Sequence, residues 1–357
     1  MDKSPVSAQQ LGDYYRIDGN KLERAYKDHL SNFRTWDQLD HCADWILLKD
    51  NLGPSQCIDE TMIGEEIYTI LSNRDAHGKS GAIVAMVKGT AIETVSSVLM
   101  RIPEDRRNAV KEVTMDLSDS MRGIVRKCFP NAMITLDNFH LSKLINDALE
   151  EARLKEKRKA IADRRRDKRN FQAKVAECKK RNKKYAQKHP HTCKGKKRGR
   201  KPVYYGAFKP ATHINGDTEV ELLTRCKYLL SQTGEKWGEG KRLRALILFD
   251  RYPKIYEGYC LMCKWKAIFR DKRLNRESAK DRIHAWYDEV TKCSLREMKA
   301  VRDTFKEREE DILNFFVNRS SNAPAESLNS KIKCFRSLLR GVSDIKFFAF
   351  RVATILG

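Results

Sequence analysis

The sequence predicts an α/β protein with a mixed five-stranded sheet flanked by helices and a large, basic, all-α insertion. Two observations support this fold class. Short apolar runs with strand-like patterns alternate with polar turns from residue 55 to residue 138, and from residue 141 onward the pattern is mainly helical and highly charged. The 357 residues suffice for one large domain or two small ones.

The first three predicted strands form a meander. The run CIDETMI, residues 57–63, is followed by strand-like runs over residues 66–73 and 81–89. A polar segment containing Gly78 joins the last two runs, and two strands joined by a short glycine-bearing loop are typical of a hairpin.

A strand–helix–strand unit follows the meander. The pattern predicts a helix over residues 90–101, a fourth strand over 111–117 and a helix over 118–128 with Ser118 as its N-cap. The run AMITLDN, residues 132–138, is the fifth strand. Open α/β sheets bind ligands in a crevice at the sheet edge where the connections cross, so we expect a functional site there.

Composition points to an acidic polymer as the partner. The net charge is +23 and the sequence pI is near 9.6, and nucleic acid rewards clustered Lys and Arg through counterion release. A membrane surface is the competing interpretation, but no apolar run approaches 18 residues and the N-terminal sequence has no apolar signal core. The ten cysteines show no framework spacing, which indicates thiols in a reducing, cytoplasmic location.

Most of the excess charge lies in one block. Residues 151–201 hold 23 Lys and Arg against 5 Asp and Glu, an excess of 18 positive charges. A charge run is often a solvated helix and loop. Because this block has too few acids to neutralise it, self-repulsion favours an anionic partner, and we expect it to contact nucleic acid.

A short motif inside this block is similar to an AT-hook. The sequence GKKRGRKP spans residues 195–202 and contains Lys196, Lys197, Arg198 and Arg200. In such a motif, glycine lets the backbone enter a narrow minor groove while arginines reach its floor. The alternative is a basic loop that contacts phosphates only. In both cases the four side chains are predicted to bind DNA.

Three acids stand where a metal site is expected. Asp59 lies in an apolar strand, Asp116 ends the fourth predicted strand, and Glu326 opens a helix after a proline-containing loop. Three carboxylates brought together can hold two divalent cations about 3.5–4 Å apart, which suits in-line phosphoryl displacement. Mg²⁺ prefers such hard oxygen ligands. The sequence therefore predicts one two-metal active site.

Five segments together resemble the DDE transposases of bacterial insertion sequences, the ISL3-type group with a D-x-x-H signature and a long helical insertion before the final Glu. The resemblance runs from about Ser55 to the end of the sequence. The matching segments, in the order of the family, are IDET at 58–61, VTMDLSDSM at 113–121, FPNAMITLDNFHLSKLINDALEEAR at 129–153, LFDRYPKIYEGY at 248–259 and NAPAESLNSKIK at 322–333.

The resemblance implies a ribonuclease H-like fold, in which the first and fourth strands lie side by side, and a set of metal ligands. Asp59, Asp116 and Glu326 match the catalytic acids that bind Mg²⁺, for which Mn²⁺ may substitute. Asp137 and His140 match the D-x-x-H signature and are auxiliary site residues. His140 either orients a ligand or protonates a leaving group, or it caps the following helix and bonds to Asp137.

The second acid has alternatives from the residues themselves. Asp116 is also suited to capping the helix that begins at Ser118, and Asp137 ends a strand as well, which makes it a rival for the second ligand. Glu60 adjoins Asp59, but neighbouring residues on a strand face opposite sides, so Glu60 is not expected to share the metal.

The helix after the last acid carries further polar residues. Glu326, Asn329 and Lys333 recur at i, i+3 and i+7 on one face. Asn329 and Lys333 are predicted to donate hydrogen bonds to DNA phosphates. The alternative is an amphipathic helix with a solvated polar face.

The activity implied by the resemblance has two steps: water cleaves DNA at the element ends, and the freed 3′-OH attacks target DNA. Double-stranded DNA and a dimer or higher assembly are then expected. The alternatives are a ribonuclease H-fold nuclease that cuts without strand transfer, and an inactive DNA-binding relic of a transposase. All three acids are present, which argues against the relic.

The pattern divides the chain into four parts: a helical, polar segment over 1–53, the first part of the core over 54–150, a basic helical insertion over 151–318 and a C-terminal part over 319–357. Helices are expected over 19–32 and 36–48 in the first part. Related transposases usually carry a zinc-binding and helix-turn-helix region there, and this pattern is missing. A separately encoded DNA-recognition partner is expected, or the chain is a fragment.

Overall fold

The computed structural model describes residues 1–188, 206–339, 342 and 344–357. The AT-hook-like segment 195–202, with Lys196, Lys197, Arg198 and Arg200, lies outside the described residues. Their predicted DNA contacts therefore stay a prediction.

A mixed six-stranded sheet forms the centre of the fold within the described residues. Its strands are β1 Trp45–Leu47, β2 Ser55–Ile63, β3 Glu66–Asn73, β4 Ile83–Lys88, β5 Glu112–Met115 and β6 Met133–Leu136, in the spatial order β1-β4-β3-β2-β5-β6. The α/β class with helices flanking a mixed sheet is confirmed, and the sheet has one strand more than predicted.

The pairing confirms the predicted neighbours. β1, β4, β3 and β2 pair antiparallel in that order, and β2 then pairs in parallel with β5, which pairs in parallel with β6. The first and fourth predicted strands, β2 and β5, therefore lie side by side as expected. Gly64 makes the tight connection from β2 to β3 possible because its φ of 66° is in the left-handed region that glycine adopts without strain.

The extra strand corrects the prediction of a helix over residues 36–48. Trp45, Ile46 and Leu47 pair with Val87, Met86 and Ala85 of β4. A short apolar run cannot be assigned to helix or strand by periodicity alone. The edge of β4 decides that this run forms a strand. Its backbone N–H and C=O groups pair with those of Trp45–Leu47, whereas a short helix there would leave them without these partners.

The helices in the described part of the chain follow the predicted positions in the core and the insertion. In chain order they are α1 Ala8–Tyr15, α2 Gly19–Ala25, α3 Ile92–Leu99, α4 Glu104–Asn108, α5 Asp119–Cys128, α6 Asn138–Lys188, α7 Glu219–Arg225, α8 Lys227–Leu230, α9 Glu239–Arg251, α10 Pro253–Arg270, α11 Arg276–Lys292, α12 Arg296–Glu307, α13 Glu309–Leu313, α14 Phe315–Asn318, α15 Ala323–Leu338 and α16 Ile345–Leu356. Short 3₁₀ turns span Phe33–Thr35, Lys49–Asn51, Arg74–Ala76 and Gly234–Lys236, and a π-helical turn spans Tyr26–Leu30.

The chain divides into two compact units. The first comprises Met1–Ser142, Asp271–Ile283 and Phe305–Gly357, and the second comprises Lys143–Arg270 and His284–Thr304. The four-part division made from the sequence stays a prediction.

The core of the first unit joins the sheet to the two C-terminal helices. Apolar side chains of β1 to β4, among them Ile46, Ile70 and Met86, pack in one cluster with Leu328 of α15 and Phe348 of α16. This packing fixes α15 against the sheet, and α15 is the helix that carries the predicted third acid.

The second unit is helical. Trp265 and Trp286 are buried in it, with ring centroids 4.9 Å apart, and Trp286 Nε1 donates a 2.9 Å hydrogen bond to the Leu261 carbonyl. Trp237 is half-buried. None of the helices in the part of the chain that the structure describes has the length and apolar character needed to cross a bilayer.

The additional strand, β1, leads to a prediction about the stability of the protein. Ile46 is fully buried between the sheet and the C-terminal helices, so Ile46→Ala is expected to lower the free energy of unfolding by about 2–5 kcal/mol in guanidinium denaturation. The matched control is Ile67→Ala, since Ile67 is also a strand isoleucine but is 43% exposed; it is expected to change stability by less than about 1 kcal/mol. Equal effects of the two substitutions would contradict the placement of β1 in the core.

Candidate metal centre

Three aspartates form a row across the three parallel strands. Ile58 of β2 stands opposite Met115 of β5, and Met115 stands opposite Leu136 of β6. The next residue along each strand direction is an acid: Asp59, Asp116 and Asp137. Adjacent strands lie about 4.8 Å apart and in-register neighbours share a face. The register therefore collects three carboxylates at one place on the sheet.

His140 links two of these acids. It lies in the first turn of α6, and its Nδ1 is 2.9 Å from Asp116 Oδ1 and 3.4 Å from Asp137 Oδ2. Asp137 Oδ2 also accepts a 3.2 Å hydrogen bond from the Phe139 backbone N–H, so Asp137 caps α6. The predicted bond between His140 and Asp137 is present, and the imidazole contacts Asp116 as well.

The local chain explains why Asp116 faces the site. Ser118 is the N-cap of α5, and its hydroxyl accepts a hydrogen bond from the Met121 N–H, as the sequence predicts. Because Ser118 caps the first turn of α5, the alternative in which Asp116 caps this helix is wrong. Asp119, in the first turn of α5, pairs with Arg308.

The electrostatics of the row favour a cation. Burial, followed by the negative charge of Asp116, raises the pKa of Asp59 to about 6, and the charge of Glu326 adds to this rise. Hydrogen bonding to Asp116, and then to Asp137, raises the pKa of His140 to about 10. Crowded carboxylates raise each other's pKa because their charged forms repel. With no cation bound, these carboxylates thus favour the protonated form of His140, and a bound cation would favour the neutral form.

Two asparagines from the C-terminal part hold the carboxylates. Asn322, fully buried just before α15, donates from Nδ2 to Asp116 Oδ1 at 3.3 Å and from its backbone N–H to Asp137 Oδ1 at 3.3 Å. Asn329, within α15, is 6% exposed and donates from Nδ2 to Asp59 Oδ2 at 2.7 Å. The start of α15 and its second turn are thus both bonded to the row.

The predicted site residues on α15 differ in their surroundings. Glu326 is exposed in the first turn, and its charge acts on Asp59. Lys333 is exposed two turns further along, whereas Asn329 is buried against Asp59. The roles of Asn329 and Lys333 in DNA binding stay predictions, as does metal binding by Asp59, Asp116 and Glu326.

A buried glutamate anchors the loop that leads to α15. Glu112, at the start of β5, is 2% exposed and accepts hydrogen bonds from Arg74 Nη1 at 2.9 Å, Thr135 Oγ1 at 2.8 Å and Ser320 Oγ at 2.9 Å. Asn318 Nδ2 lies 3.3 Å from the same carboxylate. Strand β5 therefore binds the loop at one end through Glu112 and at the other end through Asp116.

Sequence reasoning missed Glu112 and Asn322. The signal for Glu112 was an acid at the start of the apolar run of β5. A glutamate is almost never fully buried unless it is paired, so a buried glutamate at this position needs partners. The signal for Asn322 was an asparagine just before the proline-bearing start of α15. Neither signal names the partner, because the partners lie far away in sequence.

The residues present fit a hard divalent cation. The ligand atoms of Asp116, Asp137 and His140 all lie within 4.8 Å of one another, and they are the one such group found among the described residues. In addition, the side-chain oxygens of Asn322 and Asn329 are buried without a hydrogen-bond partner in the described structure. Buried polar atoms without partners are costly. Carboxylate and amide oxygens are the ligands that Mg²⁺ and Mn²⁺ accept.

The fold and the positions of the acids together indicate the structural class of the protein. An antiparallel meander continued by parallel strands, with acids at the ends of those strands, is a ribonuclease H-like arrangement. Residues 57–352 match the model of the ISL3-type DDE family, which is described as transposase. The chain belongs to this transposase family, and the resemblance found in the sequence is confirmed. No curated protein and no solved structure matches the chain significantly.

The carboxylate row predicts metal binding that depends on individual acids. Asp116→Asn and Asp137→Asn are each expected to weaken Mn²⁺ binding by more than about tenfold in isothermal titration calorimetry, since losses of that size follow even from removing residues that only support a ligand. Asp119→Asn is the control, because Asp119 is close in sequence but bonds to Arg308. Unchanged Mn²⁺ affinity in both site variants would contradict the assignment of the metal centre.

Proposed function

We propose that this transposase catalyses metal-dependent cleavage of DNA at insertion-sequence ends and transfer of the freed strand into target DNA. The observation that carries the proposal is the in-register row of Asp59, Asp116 and Asp137, bonded to α15 through Asn322 and Asn329. Such a row, in a chain of a transposase family, supports phosphoryl transfer.

The proposed reaction consists of two displacements at phosphorus. Water attacks the phosphate at the element end, the P–O bond to the leaving strand breaks, and a 3′-OH is released. This hydroxyl then attacks a target phosphate and displaces the target strand's own 3′ oxygen. Each step forms one P–O bond and breaks one, so no covalent protein–DNA intermediate and no Ser or Tyr nucleophile is required.

The residues of this chain have distinct proposed roles. Asp59, Asp116 and Glu326 hold Mg²⁺, with Mn²⁺ as a substitute. Cations held there would supply a lower pKa for an attacking water and neutralisation of charge on the phosphate. Asn329 and Asn322 keep the carboxylates oriented through the hydrogen bonds described above. Asp137 holds the imidazole of His140 beside Asp116, where its positive charge supports binding of a phosphate.

A long basic helix supports DNA binding outside the metal centre. Residues 151–188 of α6 contain 17 Lys and Arg against 5 Asp and Glu, and most of the side chains over 162–170 are exposed. A helix of this length extends about 57 Å, more than one turn of B-form DNA at about 34–36 Å. We propose that this helix follows the phosphate backbone, while a dimer or higher assembly holds two element ends.

The first test is strand cleavage and joining with Mn²⁺. Plasmid nicking and covalent joining of a labelled oligonucleotide with a free 3′-OH to the plasmid are measured for the wild type. Asp59→Asn, Asp116→Asn and Glu326→Gln are each expected to lower both rates by roughly 10³-fold, because loss of metal-based charge stabilisation removes several kcal/mol. Asp119→Asn is expected to act like the wild type.

The outcomes separate the candidate activities. Nicking without joining supports a nuclease without strand transfer. If Asp137→Asn loses nicking and joining while Asp116→Asn keeps full activity, the second metal ligand is Asp137 and not Asp116. Full activity of all three acid variants would sink the proposed site, and circular dichroism of each variant excludes loss through unfolding.

The basic helix predicts a salt dependence. Replacing Arg165, Lys168 and Arg169 by Gln is expected to reduce the slope of log affinity against log salt by up to about 3, because each phosphate contact contributes about 0.9 to the slope. Fluorescence anisotropy of a labelled duplex at several salt concentrations measures it.

The matched control for this experiment removes the same amount of charge elsewhere. Lys3, Lys21 and Arg24 are exposed near the N-terminal end of the described chain, and their replacement by Gln changes the net charge equally. An equal loss of slope in the control would show a general charge effect instead of contact by α6.

A further inference from the structure

The loop that leads to α15 contains a strained residue. Arg319 has a φ of 53°, in the left-handed region that residues other than glycine rarely adopt. Such a conformation costs free energy and persists only where contacts from other parts of the chain hold it. The neighbours of Arg319 in the sequence, Asn318 and Ser320, donate hydrogen bonds to Glu112 Oε2 at 3.3 Å and 2.9 Å. Glu112 therefore supports the loop on both sides of its strained residue.

Two other segments of the chain fix the same carboxylate. Arg74 Nη1, in the turn that follows β3, donates to Glu112 Oε2 at 2.9 Å, and Thr135 Oγ1 of β6 donates to Glu112 Oε1 at 2.8 Å. Lys331 of α15 donates to the Gly78 carbonyl at 2.7 Å, so the connection between β3 and β4 also contacts α15 itself. Glu112 thus joins β6 and this connection to the loop that leads to α15.

Stability alone gives little reason for a charge at this position. Glu112 is 2% exposed, and the side chain of its ionic partner Arg74 is 20% exposed. The free energy that is needed to remove two charges from water can exceed the gain from their attraction, and apolar pairs of similar volume are often as stable or more stable. A carboxylate, however, accepts several hydrogen bonds at once. The ion pair is therefore better suited to fixing one arrangement of the loop than to stabilising the fold.

We propose that Glu112 is a positioning residue of the metal centre. By fixing the loop at residues 318–320, it places Asn322, two residues further on, where the amide and backbone N–H groups of Asn322 reach Asp116 and Asp137. This inference rests on the proposed function, because the acids positioned in this way are those beside which the cation would bind. Glu112 acts through Asn322 and is not itself a ligand.

The experiment compares variants of the full chain by three measurements. Mn²⁺ affinity is measured by isothermal titration calorimetry, hydrogen exchange over residues 318–326 by mass spectrometry, and stability by guanidinium denaturation. Glu112→Leu removes the acceptor, and Glu112→Leu combined with Arg74→Met also removes the arginine charge that is left behind. Glu112→Gln keeps an oxygen for the donors of the loop and offers an N–H to the Thr135 hydroxyl.

Glu112→Leu is expected to lower Mn²⁺ affinity roughly tenfold, as the loss of residues that support metal ligands does. It should also speed exchange over residues 318–326 and lower the denaturation midpoint. In the double variant the midpoint should recover, because no charge is left unpaired, while Mn²⁺ affinity stays low and exchange stays fast. Glu112→Gln should keep Mn²⁺ affinity within about threefold of the wild type.

The matched control is Asp217→Leu. Asp217 is a buried acid of the second unit, 1% exposed, and it pairs with Arg225 and Arg244. Its substitution should lower the denaturation midpoint, because it leaves two arginines without their carboxylate. Mn²⁺ affinity and exchange over residues 318–326 should stay at their wild-type values.

Three results would overturn the proposal: wild-type Mn²⁺ affinity in Glu112→Leu, recovery of affinity together with stability in the double variant, or an equal loss of affinity in Asp217→Leu. The second result would assign Glu112 a role in stability alone. If the wild type binds no Mn²⁺, the proposed function fails, and the role of Glu112 in the metal centre fails with it. Faster exchange over residues 318–326 in Glu112→Leu would in that case still support the hold of Glu112 on the loop.

Discussion

Parallel pairing of β2 with β5, and of β5 with β6, is the constraint on which the site depends. The register places Ile58, Met115 and Leu136 side by side, so an acid follows at the same level in all three strands. A slip of one residue would turn an aspartate to the opposite face of the sheet. Backbone hydrogen bonds thus hold the carboxylates together against their mutual repulsion, which adds to burial in raising the pKa of Asp59.

A second layer of polar contacts joins distant parts of the chain to this row. Glu112 fixes the loop before α15, and Asn322 and Asn329 then bond to the acids. Glu112, Asn322 and Asn329 are themselves buried, where a hydrogen bond to a charged group is stronger than in water and an unmet one is costly. Because α15 is held at several points, the backbone at Glu326, the predicted third acid, is held as well.

Sequence patterns predicted the strands and the acids at their ends because these signals are local, whereas the pairing of β2 with β5 was expected from the fold that the resemblance implies. Strand-like runs ending in Asp116 and Asp137 and the cap at Ser118 need no knowledge of the tertiary fold. β1 was missed because the apolar run around Ile46 is equally compatible with a helix, and pairing with β4 decided it. Glu112 was missed, and Asn329 was predicted to contact DNA phosphates, for a similar reason. Ser320, which bonds to Glu112, is 208 residues away in the sequence, and Asp59, which bonds to Asn329, is 270 residues away.

Asp59 and Asn329 are 270 residues apart in the sequence, and this separation has a consequence for synthesis of the protein. Translation proceeds from the N-terminal end at about 5–20 residues per second, and domains fold as units. The strands with the three aspartates leave the ribosome well before α15 does. A nascent chain therefore carries the three aspartates before the amides of Asn322 and Asn329 have been made, so these hydrogen bonds form only after the helical insertion has been synthesised.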